Sequence, residues 1–84
     1  MEYVCFHATW CPFCRAFIRD YRSLVPDGKE EILDDESNPM WMEMRIEYVP
    51  TVIEYENGDE RRRLSGIPGK GITREMFVEW LKDQ

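Results

Sequence analysis

Long apolar runs are absent from this chain of 84 residues, and it does not open with a basic segment followed by an apolar one. A membrane-spanning helix needs about 20 predominantly apolar residues, and a secretory signal needs both a charged and an apolar region. We therefore expect a cytoplasmic protein that has no membrane partner.

Basic residues are scarce, since 11 lysines and arginines stand against 17 aspartates and glutamates and give a net charge of −6. This excess of negative charge disfavours nucleic acids and anionic membranes as partners. A neutral or basic protein surface is a more compatible partner.

Cysteines number only three, an odd count that is unlike the even disulfide frameworks of small secreted domains. Internal repeats and low-complexity segments are also absent. The length allows one small domain, residues 1–84, which we expect to be a monomer. One reactive pair of thiols and one spare thiol suit a reducing compartment.

Two of the three cysteines lie in the segment Cys11-Pro12-Phe13-Cys14, where a strand-like pattern passes into a helical one. Unpaired N–H groups and the dipole at a helix start stabilise a thiolate, so Cys11 is the predicted nucleophile. Pro12 suits the first helical position, where its missing N–H would have no intrahelical partner. Cys14 lies one turn further on and can resolve a mixed disulfide on Cys11. A C-x-x-C pair beside a βαβ pattern is typical of a redox motif.

The first half of the chain predicts a strand, a helix and a second strand. Residues 3–7 are apolar on both faces, as in a central strand, and residues 12–24 show helical spacing of apolar residues. The predicted apolar helix face comprises Phe13, Phe17, Tyr21 and Leu24. Residues 30–34, built around Ile32 and Leu33, complete a parallel βαβ unit.

The second half predicts a short helix, a hairpin and a last helix. Asn38 can cap a helix that has Pro39 in its first position. Residues 51–56 and 60–64 flank Asn57-Gly58, a strong signal for a type I′ hairpin. After a loop over residues 66–71, Thr73 caps a helix with Met76, Phe77, Trp80 and Leu81 on one face. The residues Met40, Trp41, Met42 and Met44 are assigned mainly to the core, and a soft docking surface near Pro50 is the alternative.

This order of elements, with C-x-x-C opening the first helix, resembles the thioredoxin-like fold over essentially the whole chain. Val49-Pro50-Thr51 is a second match. In thioredoxins and glutaredoxins the proline of this motif is cis and lies against the redox cysteines, so the resemblance implies a cis Pro50. It also implies that Val49 offers its backbone to an extended substrate segment. The expected fold class is α/β, a minimal, glutaredoxin-sized version with a four-stranded mixed sheet.

The chain resembles glutaredoxins in some positions and thioredoxins in others. The C-P-F-C sequence is similar to the glutaredoxin motif, which has a tyrosine where Phe13 stands, and the length also suits a glutaredoxin. Trp10 before the first cysteine, the order Val-Pro-Thr, the Asn-Gly turn and Gly66 after the last strand resemble thioredoxin. The glycine pair and acidic cluster with which glutaredoxins hold glutathione are not seen before the last helix.

Three positions depart from the thioredoxin pattern. Cys5 stands where thioredoxins carry a buried aspartate thought to handle a proton from the resolving cysteine, and Ile32 falls at the matching buried lysine. Tyr48 occupies a position beside the proline loop that is usually small, which suggests a more aromatic docking groove.

A structural disulfide, or a zinc site formed by Cys5, His7, Cys11 and Cys14, is the alternative interpretation of the cysteines, since zinc accepts such a donor set. No second C-x-x-C exists, and a lone cysteine on an apolar strand is usually a small buried hydrophobe. We therefore predict no metal, a buried Cys5 and a packed His7 that tunes Cys14.

The motif and the resemblance predict a thiol–disulfide oxidoreductase that reduces protein disulfides through a Cys11–Cys14 disulfide. No bound cofactor is expected, and electrons would come from a thioredoxin reductase-type enzyme or from glutathione. Alternatives are a glutathione-dependent glutaredoxin, a dedicated electron donor to ribonucleotide reductase, and a metal-binding or non-catalytic interaction module. The predicted substrate-binding residues are Trp10, Pro12, Phe13, Tyr48, Val49, Pro50 and Gly66.

Overall fold

A computed structural model describes residues 1–83, in which strands and helices alternate around one sheet. The elements are β1 (Glu2–His7), α1 (Pro12–Leu24), β2 (Lys29–Ile32), α2 (Met40–Glu43), β3 (Thr51–Glu56), β4 (Asp59–Ser65) and α3 (Arg74–Lys82). The strand order is β2-β1-β3-β4, with β1 parallel to β2 and antiparallel to β3. The predicted α/β fold with a four-stranded mixed sheet is confirmed.

β1 lies inside the sheet because its side chains are apolar on both faces. Cys5 packs with residues of α1 and α3 on one face, whereas Phe6 packs on the other face with Leu33, Ile46 and Ile53. The short helix α2 and the segment after it cover this second face. None of the helices among residues 1–83 is long and apolar enough to cross a membrane.

The buried stripe of α1 shares Phe17 and Tyr21 with the predicted face, and the predicted Leu24 is partly buried against the same core. The stripe consists of Cys14, Phe17, Ile18 and Tyr21, which follow the i, i+3, i+4, i+7 spacing of a helix face packed on a core. Phe13 is exposed instead, because it lies at the helix start and on the side of that stripe turned towards solvent. The predicted bounds of the helix, residues 12–24, are confirmed.

β2 was predicted over residues 30–34, but the strand covers Lys29–Ile32. Ile32 is 52% exposed because β2 is the edge strand of the sheet, so the expectation of a buried side chain at this position is wrong. Leu33 follows the strand and is fully buried, and its N–H donates to the His7 carbonyl over 2.7 Å.

The hairpin and the helix caps follow the predicted chemistry. Asn57 and Gly58 both have positive φ, 55° and 85°, as a type I′ turn requires. The Thr73 hydroxyl accepts a hydrogen bond from Met76 N, and the Asn38 side chain accepts one from Met40 N. The helix α2 begins at Met40, one residue later than predicted, and Pro39 takes the cap position. Met42 is 85% exposed, so its assignment to the core is wrong. The helix α2 is only four residues long and buries just one side of its surface.

Candidate active site

The turn between β1 and α1 carries the C-x-x-C pair. Cys11 is the N-cap residue of α1, with an extended backbone of φ −94° and ψ 115°, and Pro12 follows as the first helical residue. The Cys11 sulfur accepts a hydrogen bond from the backbone N–H of Cys14, with a distance of 3.4 Å. A thiolate on Cys11 would therefore receive a backbone donor at the positive end of the helix dipole.

The two sulfur atoms lie in different surroundings, although all three cysteines are free thiols. Cys11 is only 6% exposed, because Ala8 and Val49 pack on it. Cys14 lies deeper, and burial raises the pKa of its thiol to about 12, while a hydrogen bond from the Ala8 backbone opposes this shift. Cys14 is therefore a neutral thiol at physiological pH.

The loop before β3 lies directly against this pair. The Val49–Pro50 peptide bond is cis, the geometry that the resemblance implies. The Cys11 sulfur is 3.6 Å from the Val49 carbonyl oxygen, to which its thiol donates. Gly66 N–H donates to the Pro50 carbonyl over 2.8 Å, and a Cβ at Gly66 would come within 2.8 Å of that oxygen. Glycine at this position therefore allows the end of β4 to approach Pro50.

Exposed apolar side chains surround this arrangement and form a surface that we call the rim: Trp10, Phe13, Tyr48 and Ile67. Sequence reasoning identified the first three but assigned Ile67 only to a turn. A lone apolar residue between Gly66 and Pro68 was the available signal. Gly71 belongs to the same loop and lies close against α1. A Cβ at Gly71 would come within 2.7 Å of the Phe13 Cβ, so glycine allows this approach.

The comparison with protein families decides the membership of this chain. A sequence model described as Thioredoxin matches residues 2–82. The chain belongs to the thioredoxin family. Membership of this family supports thiol–disulfide oxidoreductase activity.

Solved thioredoxin structures share the fold. A Plasmodium falciparum thioredoxin matches with a TM-score of 0.77 and 20% identity over 96% of this chain and 82% of its own. Mitochondrial thioredoxin 3 of Saccharomyces cerevisiae, in its oxidised form, matches with a TM-score of 0.71 and 23% identity, over 99% of this chain and 77% of its own. A structure of ferredoxin:thioredoxin reductase with thioredoxin f2 contains a chain that matches with a TM-score of 0.73 and 19% identity, over 96% and 74%. No curated protein matches the sequence.

In this thioredoxin-family chain, hydrogen bonds join side chains that are distant in the sequence, and the sequence alone did not predict these contacts. His7 is buried, and its Nε2 lies 3.0 Å from the Glu30 carboxylate. Arg22 donates two further hydrogen bonds to the same carboxylate, 2.8 and 2.9 Å long. Cys5 is fully buried, and desolvation raises the pKa of its thiol well above its usual range.

The structure does not gather the four residues of the zinc alternative into a ligand set. Among residues 1–83, no group of three or more His, Cys, Asp or Glu side chains is arranged to hold a metal ion. His7 is directed to Glu30, and Cys11 is directed to the Val49 carbonyl.

Proposed function

We propose that this chain reduces disulfide bonds of protein substrates by cycling between a Cys11/Cys14 dithiol and a disulfide. The observation that carries the proposal is the setting of the Cys11 sulfur, which accepts the Cys14 N–H at the start of α1 and lies beside the Val49 carbonyl. Cys11 keeps a small exposed fraction of 6%, whereas Cys14 is 1% exposed.

The first step breaks the substrate disulfide. The Cys11 thiolate attacks one substrate sulfur, a mixed disulfide forms, and the other substrate sulfur leaves as a thiolate. Cys14 then attacks the Cys11 sulfur, so that the Cys11–substrate bond breaks and the Cys11–Cys14 bond forms. The proton of Cys14 goes to the departing substrate thiolate. Two electrons have passed from the protein to the substrate.

Docking of the substrate involves the rim and the proline loop. An extended segment next to the substrate cysteine would pair with the backbone of Val49, as in the addition of a strand to a sheet edge. Trp10, Pro12, Phe13 and Tyr48 contact this segment with exposed side chains. Pro50 and Gly66 are buried and shape the floor of the contact.

Electrons return to the protein from an external donor, with no bound cofactor. The related chain found in a complex with ferredoxin:thioredoxin reductase favours a reductase protein as donor, and an enzyme of the thioredoxin reductase type is the first candidate. The C-P-F-C sequence instead favours glutathione, as in a glutaredoxin, and this is the second candidate. A reducing compartment such as the cytoplasm and a monomeric state fit either donor.

Reduction of insulin disulfides, with a chemical dithiol as donor, tests the proposal. The parent chain is expected to accelerate insulin precipitation above the rate of the dithiol alone. Cys5→Ala is the matched control, because it removes a cysteine outside the proposed pair. A rate equal to that of the dithiol alone would contradict the proposal and favour an interaction module.

The donor is identified by following NADPH oxidation in two parallel reactions, one containing a thioredoxin reductase and the other glutathione with glutathione reductase. Coupling to the first reaction only is expected for a thioredoxin-like role. Coupling to the glutathione system alone would assign the chain to the glutaredoxin role.

A further inference from the structure

Thr9 and Trp10 lie between β1 and α1, and both are hydrogen-bonded to Asp34, the residue that follows Leu33. One Asp34 carboxylate oxygen accepts the Thr9 backbone N–H over 2.6 Å, and the other accepts the Thr9 hydroxyl over 2.7 Å. The Asp34 backbone carbonyl accepts the indole N–H of Trp10 over 3.1 Å. One residue therefore fixes both the backbone of Thr9 and the ring of Trp10.

The same segment is held from the helix side. Arg15 donates a hydrogen bond to the Thr9 carbonyl over 2.9 Å, and Cys11 N–H donates to the Ala8 carbonyl over 3.3 Å. Thr9 and Trp10 are nevertheless exposed, with Trp10 at 54%. Because about half of the Trp10 surface lies in solvent, its hydrogen bond to the Asp34 carbonyl contributes to the orientation of the indole.

We propose that Asp34 is a positioning residue for protein substrates: its carboxylate holds Thr9 and thereby keeps the neighbouring Trp10 indole on the Asp34 backbone carbonyl, in the orientation that the rim requires. This inference rests on the proposed function, since a rim is needed only for docking. Small disulfides, which reach Cys11 without covering the rim, should not depend on Asp34.

The carboxylate form of Asp34 is the one that accepts both Thr9 bonds. The Thr9 backbone N–H and then its hydroxyl lower the pKa of Asp34, so the contact is present at neutral pH. The neighbouring Asp35 carboxylate makes the same kind of contact away from Thr9 and Trp10, because it accepts the N–H and the hydroxyl of Ser37. Asp35 is therefore a matched control for Asp34.

The kinetic test compares insulin with cystine as disulfide substrates for Asp34→Ala, Thr9→Val and Asp35→Ala. We expect the first two variants to raise the KM for insulin about three- to tenfold, the range expected for the loss of an ordinary, solvent-exposed hydrogen bond. Their kcat for insulin and their rate with cystine should stay within about twofold of the parent values. Asp35→Ala should behave as the parent chain does.

A conservative variant separates positioning from folding. Asp34→Asn keeps an acceptor for the Thr9 N–H, so its KM for insulin should lie between those of the parent and Asp34→Ala. In nuclear magnetic resonance spectra of the parent, the Thr9 amide proton should shift with the titration of Asp34, and in Asp34→Asn that shift should vanish.

Two kinetic results would overturn the inference while leaving the proposed function intact. One is an equal loss of activity with insulin and with cystine, which would show that the substitution changes the reactivity of Cys11 itself. The other is an unchanged KM for insulin in Asp34→Ala. A Thr9 amide that does not follow the Asp34 titration would also overturn it. Failure of the parent chain to reduce insulin would overturn the proposed function and this inference together.

Discussion

Cys5 lies fully buried on the α1 side of β1, next to the residues that carry the redox chemistry. Burial and then the neighbouring Cys14 raise the pKa of its thiol, so it stays neutral. We expect Cys5→Ala to change the rate of insulin reduction less than about twofold at neutral and mildly alkaline pH, since the loss of a neutral side chain changes no charge near Cys14. Measured pH profiles of both proteins check this.

Cys5→Asp would introduce the charge that the native side chain lacks. A carboxylate next to Cys14 should raise the apparent pKa values of the two redox thiols, which ultraviolet absorbance of the thiolates can follow. Burial of this group should lower the free energy of unfolding by at least about 2 kcal/mol. Loss of most activity in Cys5→Ala, or zinc that co-purifies with the parent and not with this variant, would instead place Cys5 in the site.

Glu30 joins β2 to the buried His7 and to Arg22 of α1. The hydrogen bonds from Arg22, more than the contact with His7, lower its pKa from the ordinary value of 4.5. A lowered folded-state pKa gives stability that is present above the ordinary value and is lost as the pH falls through the lowered one. We therefore expect Glu30→Gln to destabilise the protein at pH 7, and the difference from the parent to shrink below about pH 4.

Urea unfolding of the parent and Glu30→Gln at several pH values measures this difference. Glu31→Gln is the control, because it neutralises an exposed carboxylate on the same strand. A difference that stays constant from pH 7 down to pH 3 would show that the Glu30 charge does not stabilise the fold.

The sequence predicted the residues of the site whose roles depend on local chemistry. Cys11 and Pro12 could be placed at a helix start, and Val49-Pro50 could be recognised as a motif. The partners of Asp34 and Glu30 could not be predicted, because Thr9 is 25 positions from Asp34 and His7 is 23 positions from Glu30. Such contacts are determined by how the strands and loops meet in space and leave no periodic signal.

At the scale of elements, the Arg62 side chain of β4 connects α3 to the sheet through hydrogen bonds. Its guanidinium forms two 3.0 Å hydrogen bonds with the fully buried carboxylate of Glu54. It also donates to the carbonyl oxygens of Trp80 and Asp83 and lies 4.4 Å from the centre of the Trp80 ring. One side chain therefore holds the end of the last helix.

Arg62→Met should lower the free energy of unfolding by about 3 kcal/mol, because it leaves the Glu54 carboxylate buried without its main partner. Arg63→Met is the control on the same strand. Arg63 pairs with Glu60 in a more exposed position, so its loss should cost less than about 1 kcal/mol. Equal costs in urea unfolding would contradict the account of the Glu54–Arg62 pair.

The elements themselves were largely predictable, since helix α1, the Asn57-Gly58 turn and the Thr73 cap each have local sequence signals. The position of β2 at the edge of the sheet was not predictable. Ile32 reads as a core residue in the sequence, but the strand order leaves it without a neighbour on one side. Exposure of an apolar residue depends on which strand lies at the edge, and this property belongs to the whole sheet.

At the scale of the whole molecule, three separate connections meet at the redox pair. The β1–α1 turn supplies Cys11, the loop before β3 supplies Val49 and Pro50, and the loop after β4 supplies Gly66 and Ile67. The contact between the Cys11 sulfur and the Val49 carbonyl spans 38 positions of the chain. The sheet therefore brings together a nucleophile, a backbone site for the substrate and a rim that no single segment contains.

The central claim is that Cys11 attacks and Cys14 resolves, and trapping of a mixed disulfide tests it most directly. Cys11→Ser and Cys14→Ser are each incubated with a protein disulfide, and the products are separated without reductant and identified by mass spectrometry. We expect Cys14→Ser to accumulate a mixed disulfide on Cys11, and Cys11→Ser to trap little substrate and to reduce none. Equal trapping by the two variants, or turnover by Cys11→Ser, would contradict the claim.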